Sequence, residues 1–376
     1  MIKEIQKLNI GVEEEYQLID PKTRELTSYV TELLEEGSLV SENDVKPELL
    51  QSQIEIGSNV CDTVEELEKD LSRLRLLIKK YANKKGLDFL AAGTHPFSHW
   101  KNQVVTDNTR YHGFMDSTQY VGKRMLIFGM HVHIGIEDKD LRIDVMNQMR
   151  YFIPHIMALA SSSPFWQGND TGFKSFRSII FEDLPRTGVP ETFRSYQEYN
   201  RYIKTLIKSN SIEDPSKIWW DIRPHATYPT LEFRMCDSCS SLKDAVSIAA
   251  LIQALTAKVI TLRKSNQQWR NYRGSLIHEN KWRSAQKGVR TNLIDLGAEK
   301  EVPFSDLISE MLEFIDDVVD DLGTRRYIDN ILTISNRGSS ADRQLEIYDK
   351  TGKMTDVVDF LIKETTKYCI KQTATL

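Results

Sequence analysis

Three observations predict an α+β fold in which a largely antiparallel or mixed sheet is backed by helices and the C-terminal third is helical. Period-two apolar segments dominate the first part of the chain, in the order strand, strand, helix, strand. Long helical periodicities take over beyond Leu242, and no internal repeat or Pro/Gly/Ser-rich linker separates the two parts. The 376 residues, 40% of them hydrophobic, are enough to bury a substantial core, so residues 1–376 are read as one intertwined domain.

Each element follows from local chemistry. In Ile10-Gly-Val-Glu-Glu-Glu-Tyr-Gln-Leu18, period two puts Val12, Tyr16 and Leu18 on one face and Gly11, Glu13, Glu15 and Gln17 on the other. From Thr63, apolar residues Val64, Leu67, Leu71, Leu74, Ile78 and Tyr81 recur near every 3.5 residues. Thr63 and Glu66 are spaced as a capping box, and Gly86 stops the helix. Residues 87–93 read as an apolar strand. Residues 242–262 are apolar nearly all round and predict a buried helix, whereas 304–322 and 357–370 are amphipathic.

Charge and cysteine usage exclude several partners. A net charge of -5 with no basic run argues against nucleic acid or an anionic membrane as a partner. No apolar signal core precedes the first strand, and no uninterrupted apolar run approaches the ~18 residues of a membrane span, so a cytoplasmic location is expected. The four cysteines are too few and too irregular for a disulfide framework. Cys236-x-x-Cys239 reads as structural thiols, with a redox pair or half a zinc site as the alternative.

The chemistry-bearing residues lie on the polar faces of strands. Glu13 and Glu15 share one face, which suits hard divalent cations, a solvated edge strand being the alternative. In Ile127-Phe-Gly-Met-His-Val-His-Ile-Gly-Ile136, His131 and His133 share a face with Gly129 and Gly135, and glycines inside a strand mark close approach of a ligand or backbone. In Thr230-Leu-Glu-Phe-Arg-Met235, Glu232 and Arg234 lie opposite Leu231, Phe233 and Met235; a structural ion pair is the alternative. Glu48 and Glu55 have opposite strand parity, so a bulge or a loop start at Glu48 is needed to bring them together. Such a set suits Mg²⁺ or Mn²⁺ better than a four-ligand zinc site. Several hard ions on a sheet, with an arginine added, point to a nucleoside triphosphate, and no Walker A or G-x-G-x-x-G sequence offers another phosphate cradle.

Gly11-Val-Glu-Glu-Glu15, Gly129-Met-His-Val-His-Ile-Gly135, Trp219-Trp-Asp-Ile-Arg-Pro-His225 and Leu231-Glu-Phe-Arg234 together resemble the bacterial carboxylate–amine ligases, or type two glutamate–cysteine ligases. Lys174-Ser-Phe-Arg-Ser178, Pro185-Arg-Thr-Gly188, Glu279-Asn-Lys-Trp-Arg283 and Ser339-Ser-Ala-Asp-Arg-Gln344 extend the match over nearly the whole chain. The chain departs from the family pattern at Arg337-Gly-Ser339, where paired glycines are usual, and at Lys281, where arginine is frequent.

The resemblance implies a curved, glutamine synthetase-like catalytic sheet and an ATP- and Mg²⁺- (or Mn²⁺-) dependent ligase. Such an enzyme joins a glutamate-like carboxylate to an amine such as cysteine through an acyl-phosphate. Glu13, Glu15, Glu48, Glu55, His131 and Glu232 would be metal ligands, and His133 and Arg234 would face the γ-phosphate, with Arg343 a further ATP contact. Arg177, Arg186 and Arg223 would grip the substrate carboxylate. The loop 337–343 is the candidate lid over the acyl-phosphate, and a homodimer is implied. Trp219, Trp220 and Trp282 are read as core or rim aromatics. Two alternatives stay open: a metal–ATP regulatory module without turnover, and a kinase acting on a guanidino or carboxylate acceptor.

Overall fold

The computed structural model describes residues 8–31 and 45–370. Its centre is a seven-stranded sheet built from β1 (Ile10–Ile19), β2 (Val45–Pro47), β3 (Gln53–Gly57), β4 (Asp88–Leu90), β5 (Gly129–Gly135), β6 (Ile222–Pro224) and β7 (Thr230–Asp237). The order is β6–β7–β5–β1–β3–β2, and every pairing is antiparallel. β1 is long enough to serve two neighbours on one edge: Ile10 to Glu14 pair with β5, and Gln17 to Ile19 pair with β4.

One face of this sheet is apolar and covered. Val12, Tyr16, Leu18, Val132, Ile134, Leu231 and Phe233 are buried there, each burial worth about 1.5–3 kcal/mol. Helix α1 (Val64–Lys84) packs on β1 and β4, and α2 (Leu242–Lys264) packs on α1 and β5. Along α1, Val64, Leu67, Leu71, Leu74 and Ile78 form the buried stripe that the sequence predicts. Thr63 caps it by accepting from the Glu66 amide, but the Glu66 carboxylate accepts from the Asp62 amide instead of closing the reciprocal half of a capping box. Gly86, at φ +68°, ends the helix as expected.

Helix α2 has a window of mean hydropathy 1.8, long and apolar enough to cross a membrane, and 83% of that window is buried inside the fold as a core helix. The amphipathic segments 304–322 and 357–370 form α3 (Phe304–Val319) and most of α6 (Met354–Lys367), and α4 (Arg325–Arg337) and α5 (Ser340–Thr351) lie between them, so the C-terminal region is helical as expected. The strand expected over 87–93 is shorter: only Asp88–Leu90 pairs. Beyond it Gly93 bonds to Ser162 and Phe128, and a side chain there would meet Asp237 at 2.7 Å. Cys236 and Cys239 are buried free thiols, and burial pushes Cys236 up to about 12, which fits structural thiols and not a reactive pair. Trp220 is a core aromatic beside Phe193 and Tyr202, while Trp282 is a surface ring against Phe173.

Candidate active site

The opposite face of the sheet opens onto a cavity of about 390 Å³ whose floor is polar. Strand register sets that floor in rows. Arg223, Glu232, His133 and Gly11 stand opposite one another across β6, β7, β5 and β1. His131 is opposite Glu13, and Glu15 is opposite Glu55, which is opposite Lys46. Period two alone carries these side chains to one face, and antiparallel pairing makes the rows. In β7 the register shifts between Phe233 and Cys236, and Arg234 lies in that irregular stretch with its amide bonded to the Asp221 carbonyl at 2.7 Å.

Ligand-type atoms gather at two places: those of Glu13, His133 and Glu232 lie within 4.8 Å of one another, as do those of Glu15, Glu48 and Glu55. Glu48 sits just past β2, at a loop start, which resolves its opposite parity to Glu55. The triad Glu15–Glu48–Glu55 makes no ion pair with a described residue. Burial and the Glu48 charge push Glu15 up to about 7, and burial with Glu48, Glu13 and Glu15 holds Glu55 well above the usual range. Burial pushes Glu13 upward too, but hydrogen bonding to His131 and His133 outweighs it and holds that carboxyl well below the usual range. Glu232 is held low against its burial by Arg234 and Arg223. Buried His133 Nε2 has no hydrogen-bond partner among the described residues and lies 3.7 Å from Glu13. Crowded carboxylates at one place and an open imidazole nitrogen among carboxylates at the other fit divalent cations.

Two sequence expectations sit differently in this geometry. His133 groups with Glu13 and Glu232, while His131 lies beside the same two carboxylates, its Nδ1 4.0 Å from Glu232. His131 Nδ1 is engaged by Glu13 at 3.3 Å and Arg234 at 3.5 Å, and burial and the Arg234 charge push it down to about 4. The expected phosphate contact Arg343 does not reach the cavity: it is bonded to Asp244 at 3.2 Å and Glu364 at 3.1 Å. The lid expected at 337–343 is the joint between α4 and α5, tied down by a Ser339–Asp342 capping box, the Ala341 amide on the Ser161 carbonyl and a Lys174–Asp342 ion pair.

The arginines divide in three. Arg223 lines the cavity, but its guanidinium holds Glu232 at 2.7 Å and the Ser216 carbonyl at 3.1 Å, so it fixes Glu232 instead of presenting an open fork. Arg186 does not line the cavity; it stacks 5.4 Å over Trp219, which does, and donates to the Lys217 carbonyl. Arg177 is buried in the cavity wall over Phe181 with its Nε unpartnered, and any side chain at Gly129 would collide with it. Glu15 accepts from the Gly129 amide, so this glycine serves both groups. Arg234 bonds Glu232 and leaves its own Nε unpartnered.

Sequence reading missed several lining residues. Arg110, Tyr111 and Phe114 come from the helix Thr109–Lys123, whose one local signal is the Asn108 cap. His225 lies within the quoted Trp219-to-His225 motif; it meets His133 at 5.3 Å and stacks on Tyr228 at 4.7 Å. Behind the floor, Lys281 bridges Asp221 at 2.7 Å and Glu182 at 2.8 Å, anchoring the chain that leads into β6.

One antiparallel sheet thus presents two groups of candidate hard-ligand side chains and an arginine to a single cavity. Glutamate-cysteine ligase family 2 is the family whose profile matches residues 9–360, and the chain belongs to it. It is 51% identical over 356 residues to a Herpetosiphon aurantiacus protein named "Putative glutamate--cysteine ligase 2", the match covering 95% of this chain and 92% of that one. A Roseiflexus sp. (strain RS-1) protein of the same name is 46% identical over 356 residues, covering 95% and 94% of the two chains.

Solved structures share the fold. Glutamate–cysteine ligase from Francisella tularensis, in complex with AMP, superposes with a TM-score of 0.71 at 13% identity, over 96% of this chain and 89% of that one. A bifunctional glutathione synthetase from Pasteurella multocida superposes with a TM-score of 0.72 at 14% identity, over 99% of this chain and 54% of the longer one.

Proposed function

We propose that the protein is an ATP-dependent ligase of the glutamate–cysteine ligase type, forming an amide from glutamate and an amine through an acyl-phosphate. The observation that carries this reading is the pair of ligand sets, Glu13–His133–Glu232 and Glu15–Glu48–Glu55, on one sheet face with Arg234 bonded into the first. The names of the relatives and the AMP in the Francisella structure support it.

Mg²⁺ or Mn²⁺ held by these sets would neutralise phosphate oxygens. Arg234, bonded to Glu232, stabilises the γ-phosphoryl group in transit, and His131, kept neutral by burial and Arg234, orients Glu13. Arg177 is the arginine available to grip the α-carboxylate of glutamate. A side-chain carboxylate oxygen of glutamate attacks the γ-phosphorus and ADP departs with the bridging oxygen. The amine nitrogen then attacks the acyl carbon, phosphate leaves, and the amine proton passes to solvent. The walls contribute alignment and exclusion of water more than covalent chemistry. In this reading residues 1–376 act as one catalytic domain, and the enzyme is a cytoplasmic homodimer of small-molecule metabolism.

ADP release, measured with glutamate, an amine panel and Mg²⁺ and followed by product mass, tests the proposal. Release that needs all three, with an amide of matching mass, is expected. Release indifferent to glutamate, a stable phosphorylated product, or tight ATP binding without any product would overturn it.

A further inference from the structure

The two ends of the cavity differ, and the difference bears on the acceptor. At the Glu13–His133–Glu232 end, His225 lies against His133 and is covered by the parallel ring of Tyr228, which is 55% exposed. His225 Nδ1 accepts from the Thr227 and Tyr228 amides, fixing the ring. An anchored histidine with an exposed aromatic stacked on it suits a nucleobase.

The Glu15–Glu48–Glu55 end faces apolar side chains. Leu49 follows Glu48 directly, and the Ile127 carbonyl accepts from Gln53 at 3.3 Å, two residues before Glu55. Met125, Ile127 and Leu49 are backed by a second buried cluster, while Phe114, Phe181 and Trp219 are half-buried rings turned to the cavity. Phe114 meets Trp219 edge-on at 5.8 Å, and Tyr111 steadies the helix that carries Phe114 by donating to the Pro47 carbonyl at 2.9 Å. Lys46, opposite Glu55, and Arg110, one residue before Tyr111, line the same cavity and supply cations.

We infer that this wall seats the acceptor, and that the acceptor is an α-amino acid with a bulky apolar side chain, of the leucine, methionine or phenylalanine class. The inference rests on the ligase reading above. Lys46 and Arg110 suit the acceptor's carboxylate, and its side chain covers the wall. A one-carbon thiol side chain would leave most of these rings wet, and an apolar pocket discriminates by about 10–200-fold per methylene.

The test measures kcat/KM by ADP release and product mass with ATP, glutamate and Mg²⁺, over glycine, alanine, cysteine, leucine, methionine and phenylalanine. The best bulky apolar acceptor should exceed alanine by at least about 10-fold, cysteine should stay within a few-fold of alanine, and Phe114→Ala should shrink the bulky-to-alanine ratio. Cysteine as sole acceptor would overturn the inference and leave the ligase reading intact, whereas no amide from any amine would overturn the ligase reading itself. Phe114→Ala that raises the KM for ATP and leaves the ratio unchanged would also overturn the inference, by giving the wall to the nucleotide. Should Phe114→Ala not fold, the wild-type panel decides alone.

Discussion

Glu13, Glu14 and Glu15 are three identical side chains in a row, and the two faces of β1 treat them oppositely. Glu14 points into the core, where it is completely buried against Arg75 and accepts from the Tyr16 hydroxyl. Arg75 places its remaining donors on the carbonyls of Cys239, Ser240 and Thr365. On the other face Glu15 joins Glu48 and Glu55, with ligand atoms of all three within 4.8 Å and no guanidinium paired to them among the described residues. Burial beside a matched cation makes a structural lock; burial beside like charges makes a site that needs a cation from outside.

Breaking the lock gives the largest expected effect. Arg75→Met strands a buried carboxylate and should lower stability by about 3–5 kcal/mol, read as a drop in the denaturation midpoint. The double change with Glu14→Gln should lose less than the two single losses added together, because the stranded charge is gone. Additive losses would mean that the pair is not the lock.

Breaking the site should do the reverse. Glu15→Gln is expected to lower kcat roughly 10²–10³-fold while leaving the metal-free midpoint unchanged or raised, since it removes repulsion. Near-normal turnover would sink the assignment of the triad.

The smallest effect sharpens the comparison through pH. Glu15 is raised from its usual 4.5 to about 7, so the folded state binds more protons than the unfolded state across that window. Stability from this group is therefore fully present below pH 4.5 and is lost as pH rises through 7. In EDTA the wild-type free energy of unfolding should fall across this window by roughly 3 kcal/mol more than that of Glu15→Gln. Added Mg²⁺ should cancel the difference at neutral pH and release protons on binding, as calorimetry in two buffers would show.

Parity made part of the site legible. Glu13, Glu15, His131, His133, Glu232 and Arg234 could be placed on strand faces because period two needs only local sequence. Glu48 and Glu55 could not be joined that way, since the turn between β2 and β3 brings them together, and the family resemblance supplied the link. Parity could not distinguish His131 from His133 either. Both share a face, and the neighbours opposite each decide which keeps a nitrogen open: Glu13 beside His131, Glu232 beside His133.

By itself, then, the sequence determined β1, β5, β7, α1 and the buried helix α2, with the polar and apolar face of each of those strands, and its motifs carried the family resemblance. The elements follow from periodicity and capping, which act over a few residues. Tertiary structure alone decided that Glu14 meets Arg75, 61 residues away, that Arg343 is locked outside the cavity, and that the helix carrying Phe114 lends the site an apolar wall. Contacts across such distances depend on which surfaces pack, and that choice is made by the whole core at once.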